Sequence, residues 1–234
     1  DGIDAAHKAA LLAGLAYGFY VPFSDVYVEG IRDISPLDMS FAEKLGYTIK
    51  LLATIRPHDE KRVEVRIHPS LVARDHVLAT INGVFNAVQV VGDVVGPTLF
   101  YGRGAGADPT ASAVLADVIE AAQHVAVGQC GPFFAFGNDS GSVVPMDEVC
   151  LPFYARLTVS NRPGVLAQVA QIFGKHQIGI SSVFQPEDHD GQTVPLVLLL
   201  DKAKEADLQS AIQEIKELDV VDGPCQVIRV EDLS

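Results

Sequence analysis

The sequence predicts an α+β protein: a mostly antiparallel sheet covered by helices, followed by a tail of order βαββαβ. Three observations predict it. The apolar period changes between helical and strand spacing along residues 1–128, a Gly-, Pro- and Ser-rich stretch interrupts it at 129–151, and residues 152–234 alternate strand, helix, two strands, helix and strand.

The first element is a helix from Asp4 to about Tyr17, rich in Ala and Leu, with Asp4 in the first turn where the helix dipole favours negative charge and Gly18 as its stop. A second, short helix begins at the N-cap Ser35, with Pro36 at its first position and Asp38 in its first turn, and ends before Gly46. From Tyr47 the period becomes two. Tyr47, Ile49, Leu51, Ala53 and Ile55 share one face, which predicts a half-buried strand, and the polar turn 57–61 returns it as a second strand through Val63, Val65 and Ile67. Val84 to Val91 and Val94 to Tyr101 predict two further strands around Gly92-Asp93, and the Gly-rich run Gly102 to Gly106 leads into a helix from about Pro109 to Val127. These elements read as one domain, residues 1–128.

Residues 129–151 have the composition of a linker, although Phe133, Phe134 and Phe136 are unusual for a free one and predict docking on a neighbouring surface. In the tail, a strand from Phe153 to Ser160 meets Asn161-Arg162-Pro163-Gly164, and Val165, Leu166, Val169, Ile172 and Phe173 recur at helical spacing. A strand over 178–185, a turn at Asp188 to Gly191, a strongly apolar strand over 194–200, a helix marked by Leu208, Ile212, Ile215 and Leu218, and a strand over 225–230 complete a ferredoxin-like order.

Composition narrows the function. Thirty acidic against 17 basic residues give a formal charge of -13, and no Lys/Arg stripe is present to neutralise phosphates, so nucleic acid and anionic membrane are not expected partners. The apolar run Ala9 to Ala16 is far too short for a bilayer span, and no basic segment precedes it. Cys130, Cys150 and Cys225 lack metal-ligand spacing, so free thiols in a reduced, cytoplasmic setting and no metal site are expected. Asp1 is not an initiator Met and runs almost directly into a helical pattern, which reads as a trimmed start.

The chemistry-bearing motif opens the chain. In Gly2-Ile3-Asp4-Ala5-Ala6-His7-Lys8, residues four apart share a helix face, so Asp4 and Lys8 present a carboxylate and an amine to one small volume. The plainer alternative is an exposed pair that only stabilises the helix. His7 is turned away by about 100 degrees and reads as structural or exposed. The Gly102 to Gly106 run lacks the strand, helix and downstream acid of a complete dinucleotide fingerprint, and by itself reads as a tight turn.

The Gly-x-Asp-x-x-x-Lys motif resembles the end of the homoserine dehydrogenase signature. The similarity continues through Val28-Glu29-Gly30-Ile31, Leu45-Gly46-Tyr47-x-Ile49-Lys50-Leu51-Leu52-Ala53, His68-Pro69, Asn82-Gly83-Val84-Phe85-Asn86-Ala87 and Tyr101-Gly102-x-Gly104-Ala105-Gly106-x-x-Pro109-Thr110-Ala111-Ser112. Asn161-Arg162-Pro163-Gly164-Val165-Leu166, between strand and helix, resembles the ACT family of amino-acid-sensing modules over the stretch to Ser234, with Asn161 where that family commonly carries Asp.

The first resemblance implies hydride transfer between NAD or NADP and the alcohol carbon of homoserine, interconverting it with aspartate semialdehyde. Lys8 is then the residue exchanging the hydroxyl proton, and Asp4 orients Lys8 or the substrate amine. Gly104, Ala105 and Gly106 border the nicotinamide, while most of the cofactor site belongs to a Rossmann domain expected before Asp1. The second implies an amino-acid effector, threonine first, held by Asn161, Pro163 and Gly164, and self-association as a dimer or tetramer. The competing reading of that loop is a helix capped by Asn161 and started by Pro163, with Gly164 at a tight packing point. The competing function is a non-catalytic amino-acid-sensing and oligomerisation module.

Overall fold

The computed structural model describes residues 1–128, 141–186 and 192–233. Its strands are β1 (Tyr27–Val28), β2 (Tyr47–Pro57), β3 (Arg62–Ala73), β4 (Phe85–Gly92), β5 (Gly96–Arg103), β6 (Ser142–Val143), β7 (Cys150–Ser160), β8 (Ile180–Phe184), β9 (Thr193–Lys204) and β10 (Gln226–Val230). The helices are α1 (Ile3–Tyr17), α2 (Pro36–Lys44), α3 (Ala107–Ala126), α4 (Val165–Lys175) and α5 (Glu205–Lys216). Compactness divides the chain into Asp1–Ala73 with Phe136–Ser234, and Arg74–Ala135. This differs from the boundaries at 128 and 152 that composition suggests.

In the first unit eight strands make one sheet, ordered β1-β3-β10-β7-β9-β8, with β2 and β6 also on β3. The antiparallel order β10-β7-β9-β8 carries the expected βαββαβ tail, with α4 and α5 supplying Val165, Val169, Phe173, Leu208, Ala211 and Ile215 to its core. The join to the rest of the sheet is a short parallel pairing, Arg229 to Ser70 and Val230 to Leu71. That pairing makes β3 a central strand, and eight of its twelve residues are buried in an unbroken run from Val65 to Val72, with Val63 buried before it.

The hairpin β2–β3 pairs Tyr47 with Ala73 through to Pro57 with Val63. Its inward face departs from the alternation in the sequence: Leu51 and Ala53 are exposed and Thr54 is buried. The cause is the cover. Tyr47 and Ile49 pack with the α2 cluster and Ile55 with the α1 cluster, which leaves the middle of this edge strand between two helices. Helix α2 has the expected start, with Pro36 at its first position and a complete capping box: Asp38 N–H donates to Ser35 Oγ at 3.2 Å and Ser35 N–H to Asp38 Oδ2 at 3.2 Å.

Of the expected linker, residues 141–151 are packed chain. Val144, Met146, Val149 and Leu151 enter the core of the tail, because an apolar stretch of this kind gains more from burial than a free linker would. Phe133, Phe134, Phe136 and Cys130, and the turn at Asp188 to Gly191, lie outside the described residues.

In the second unit, among the described residues, β4 and β5 pair only with each other, Phe85 with Arg103 through to Gly92 with Gly96, so the strands expected to join one sheet form two. Gly96, at φ 75, closes the three-residue loop that replaces the two-residue turn. Helix α3 buries none of its residues, and Val114, Leu115, Val118 and Ile119 are all more than half exposed. Among the described residues no helix is long and apolar enough to cross a membrane.

Candidate functional site

Helix α1 is laid on β3 by small residues. Ala6, Ala9, Ala13 and Gly14 are its buried positions, and the three alanines pack with Val63, Val65 and Ile67, allowing close approach of helix to strand. Gly2 is the N-cap, in the left-handed conformation at φ 83, and a Cβ there would meet Ile67 Cγ2 at 3.1 Å and Val28 Cγ1 at 3.2 Å. Only glycine suits both constraints. Its carbonyl accepts from Ala6 N–H at 3.0 Å and begins the helix.

The outward face of α1 then carries Asp4 and Lys8. Lys8 Nζ lies 2.6 Å from Asp4 Oδ2, and the two side chains are 69% and 84% exposed respectively. The geometry brings an ammonium and a carboxylate together where a third molecule can reach both. His7 is held elsewhere, its ring stacked on Phe23 with centroids 4.3 Å apart, as its helical angle predicts.

A second set of charges lies beneath the start of α1, where β1, β3, β10 and α5 meet. Arg229 on β10 is almost fully buried. It donates from Nε to Glu205 Oε2 at 3.1 Å, from Nη2 to Glu205 Oε1 at 2.6 Å and to the Tyr27 hydroxyl at 3.0 Å, and from Nη1 to Glu29. Burial alone would lower its pKa, but the bonds and charges of Glu205, with Glu29 behind them, hold it raised. Burial pushes the Tyr27 hydroxyl up to about 12, against the Arg229 charge, so it stays a donor and bonds Glu29 Oε2 at 2.8 Å.

Next to this cluster Arg66 bonds Glu231, and its Nη1 donates to His68 Nε2 at 2.8 Å. His68 is completely buried, with Nδ1 3.1 Å from the Pro69 carbonyl, which fits a neutral ring protonated at Nδ1. Its pKa is driven well down by burial and then by the charges of Arg229 and Arg66. Across the sheet, Asp38 accepts from Arg156 Nε at 2.6 Å and from Tyr154. Burial would raise its pKa, but the bonds from Arg156 and Ser35 outweigh it and hold the carboxyl below the usual range.

The remaining expected site residues lie on other elements. In the second unit, Gly104 N–H donates to the Val84 carbonyl at 3.2 Å, a Cβ at Gly104 would run into the Asn86 side chain, and Gly106 is the N-cap of α3. Gly104, Ala105 and Gly106 are exposed. In the tail, Asn161 N–H donates to the Gln192 carbonyl at 2.9 Å and Arg162 reaches Asp219 at 3.4 Å. The N-cap of α4 is Gly164, at φ 91 with no side-chain cap, and Pro163 precedes the helix. Asn161 therefore does not cap α4 and Pro163 does not start it. Nothing lies within 4 Å of a Cβ placed on Gly164, so its backbone angle, not tight packing, requires glycine.

Among the described residues no group of three or more His, Cys, Asp or Glu is arranged to hold a metal ion. Cys150 is exposed and Cys225 half-buried, and burial pushes the Cys225 thiol up.

The homoserine dehydrogenase family model matches residues 1–119, from the α1 pair through most of α3. The chain belongs to the homoserine dehydrogenase family. An ACT domain model of the AHAS small-subunit type matches residues 156–222. A homoserine dehydrogenase of Pseudomonas aeruginosa is 40% identical over 241 residues, covering all of this chain and 55% of the relative. One of Neisseria gonorrhoeae is 40% identical, covering all of this chain and 54% of the relative. Among solved structures, a homoserine dehydrogenase from Thiobacillus denitrificans superposes with a TM-score of 0.88 at 39% identity, covering all of this chain and 54% of that one. The S. aureus enzyme gives 0.65 at 26% identity, with 54% of its chain covered. The chain thus spans about half the length of the relatives it matches.

Asp4 and Lys8 are singled out by the sequence, whereas Arg229, Glu205 and Tyr27 are not. The one local signal was Val28-Glu29-Gly30-Ile31, a motif whose carboxylate finds its partner 200 residues away.

Proposed function

We propose that this chain is the substrate-side and regulatory part of an NAD- or NADP-dependent homoserine dehydrogenase, which interconverts L-homoserine and L-aspartate 4-semialdehyde on the route to threonine, methionine and isoleucine. The observation that carries this reading is the accessible Asp4–Lys8 pair at 2.6 Å on the first turns of α1, within a chain whose front half matches the family. The nicotinamide, when bound, accepts the hydride from the alcohol carbon or returns it. Lys8 exchanges the hydroxyl proton, as acid while the aldehyde is reduced and as base while the alcohol is oxidised. Asp4 holds the Lys8 amine in line with the oxygen and can also receive the substrate ammonium.

The small, exposed Gly104 to Gly106 turn suits bordering a flat ring, while Gly104 itself is shaped by Asn86 and does not form a phosphate cradle. On this reading the organisation is a catalytic and dimerisation region over 1–128, a connecting segment over 129–151 and an ACT region over 152–234. On this reading most of the cofactor site belongs to the part of the relatives that this chain does not cover, so titration of the chain with NADP gives no binding and assay with homoserine no turnover. The parent enzyme oxidises homoserine with NADP or NAD, and a parent without such turnover overturns the reading.

The ACT region supports amino-acid feedback, with threonine as the first effector to test. The uncapped N–H groups after Gly164 suit a carboxylate, and Asn161 beside them suits an amine. Calorimetry with threonine gives heat that Gly164→Asp abolishes. No heat with threonine or related amino acids leaves the region as an assembly piece.

A further inference from the structure

We propose that Glu29 and Arg229 are positioning residues for the Asp4–Lys8 pair, so that the last strand of the ACT region fixes the geometry of the catalytic helix. This rests on the function proposed above. The geometry forms an unbroken series of contacts from α5 to the first turn of α1. Glu205, buried at the first position of α5, holds the guanidinium of Arg229 through both carboxylate oxygens. The third edge of that guanidinium bonds Glu29, which Tyr27 also bonds, and Glu29 N–H is tied to the Ile67 carbonyl at 2.8 Å.

Glu29 is thus clamped at both its side chain and its backbone, and the residue after it touches the start of α1. A Cβ on Gly30 would lie 2.9 Å from Asp1 Cα and 3.3 Å from the Asp1 carbonyl carbon and oxygen. No positive φ demands glycine at this position, so the close approach of Asp1 is what requires it. Two residues on, Arg32 bonds the Asp1 carboxylate at 2.5 Å and 3.0 Å. Asp1 leads through Gly2 directly into the turn bearing Asp4. A shift of the Glu29–Gly30 backbone therefore moves the helix end on which the proton-transfer pair stands, and a displacement on the order of 1 Å at a reacting group costs about a hundredfold in rate.

The ACT region contributes a second buried pair to this unit, Arg156 with Asp38, which anchors α2 and does not touch α1. It supplies the control. In the parent enzyme, Glu29→Gln and Gly30→Ala each lower kcat at least about tenfold, leave the KM of the nicotinamide unchanged and keep a near-native melting temperature. Arg229→Lys lowers kcat as Glu29→Gln does, and the kcat of the double variant is no lower than that of the poorer single one, since both break the Glu29–Arg229 contact. Arg156→Lys lowers the melting temperature and leaves kcat unchanged.

If Arg229→Lys does not fold, Glu29→Gln and Gly30→Ala decide. Wild-type turnover of homoserine with both of these within about twofold of wild type in kcat overturns the inference alone. An equal kcat loss in Arg156→Lys also overturns it. A wild-type enzyme that does not turn over homoserine overturns the functional reading and this inference with it.

Discussion

Two ion pairs of the first unit, Lys8–Asp4 and Arg229–Glu205, have the same nitrogen-to-oxygen distance of 2.6 Å and opposite surroundings. The first joins side chains 69% and 84% exposed, the second side chains 3% and 4% exposed. In water an exposed helix pair adds little stability, because solvent screens it and its side chains give up freedom to meet. Such a pair remains open to a substrate. In the interior, loss of one partner leaves a charge without solvent, so the pair holds the shape of its surroundings. Under the proposed function, chemistry belongs to α1 and geometry to the seam between β3, β10 and α5.

The largest stability effect should come from breaking a buried pair away from α1. Arg156→Met leaves Asp38 buried without its cation and should cost about 3–5 kcal/mol in denaturant unfolding. A loss below about 1 kcal/mol would show that water reaches this carboxylate.

The next effect depends on pH. His68 has a folded pKa well below its unfolded value, and it faces Arg66 on its own strand, Arg229 on β10, Glu231 just after β10, and the Tyr27 ring. Below the unfolded value the unfolded chain binds a proton that the folded chain refuses. The stability held by neutral His68 is therefore complete above about pH 6.5 and falls below it, at up to about 1.4 kcal/mol per pH unit. His68→Gln should be less stable at neutral pH but show a flatter decline between about pH 6.5 and 5; an unchanged slope would remove His68 from the acid response.

Gly18 closes α1 at φ 76, and a Cβ there meets nothing, so Gly18→Ala isolates backbone strain and should cost about 1 kcal/mol. The smallest stability effect belongs to the exposed pair: Asp4→Ala should change unfolding by no more than about 0.5 kcal/mol.

Local signals in the sequence carried much of the fold. Helix α1 and its Gly18 stop, the Ser35–Asp38 start of α2, the β2–β3 hairpin and the βαββαβ tail each depend on residues a few positions apart. Tertiary neighbours set the rest. Leu51 and Ala53 follow the apolar alternation and yet are exposed, because the helices cover only the two ends of β2. The parallel joint of β10 to β3 and the burial of Val144, Met146, Val149 and Leu151 connect segments with no local signature of pairing. At the site, helical spacing put Asp4 and Lys8 on one face, and only the resemblance of the residues around them gave the pair a chemical reading. Asp38 was legible as a first-turn acid of α2 but not as the partner of Arg156, 118 residues on, and nothing near Glu29 indicates Arg229.

The most direct test of the contrast between the two pairs is turnover and melting of Lys8→Ala in the parent enzyme, measured side by side. The exposed pair predicts a fall in homoserine turnover of at least about a hundredfold, with the melting temperature and the KM of the nicotinamide close to wild type. Turnover near wild type would contradict it and leave Lys8 a surface residue of α1.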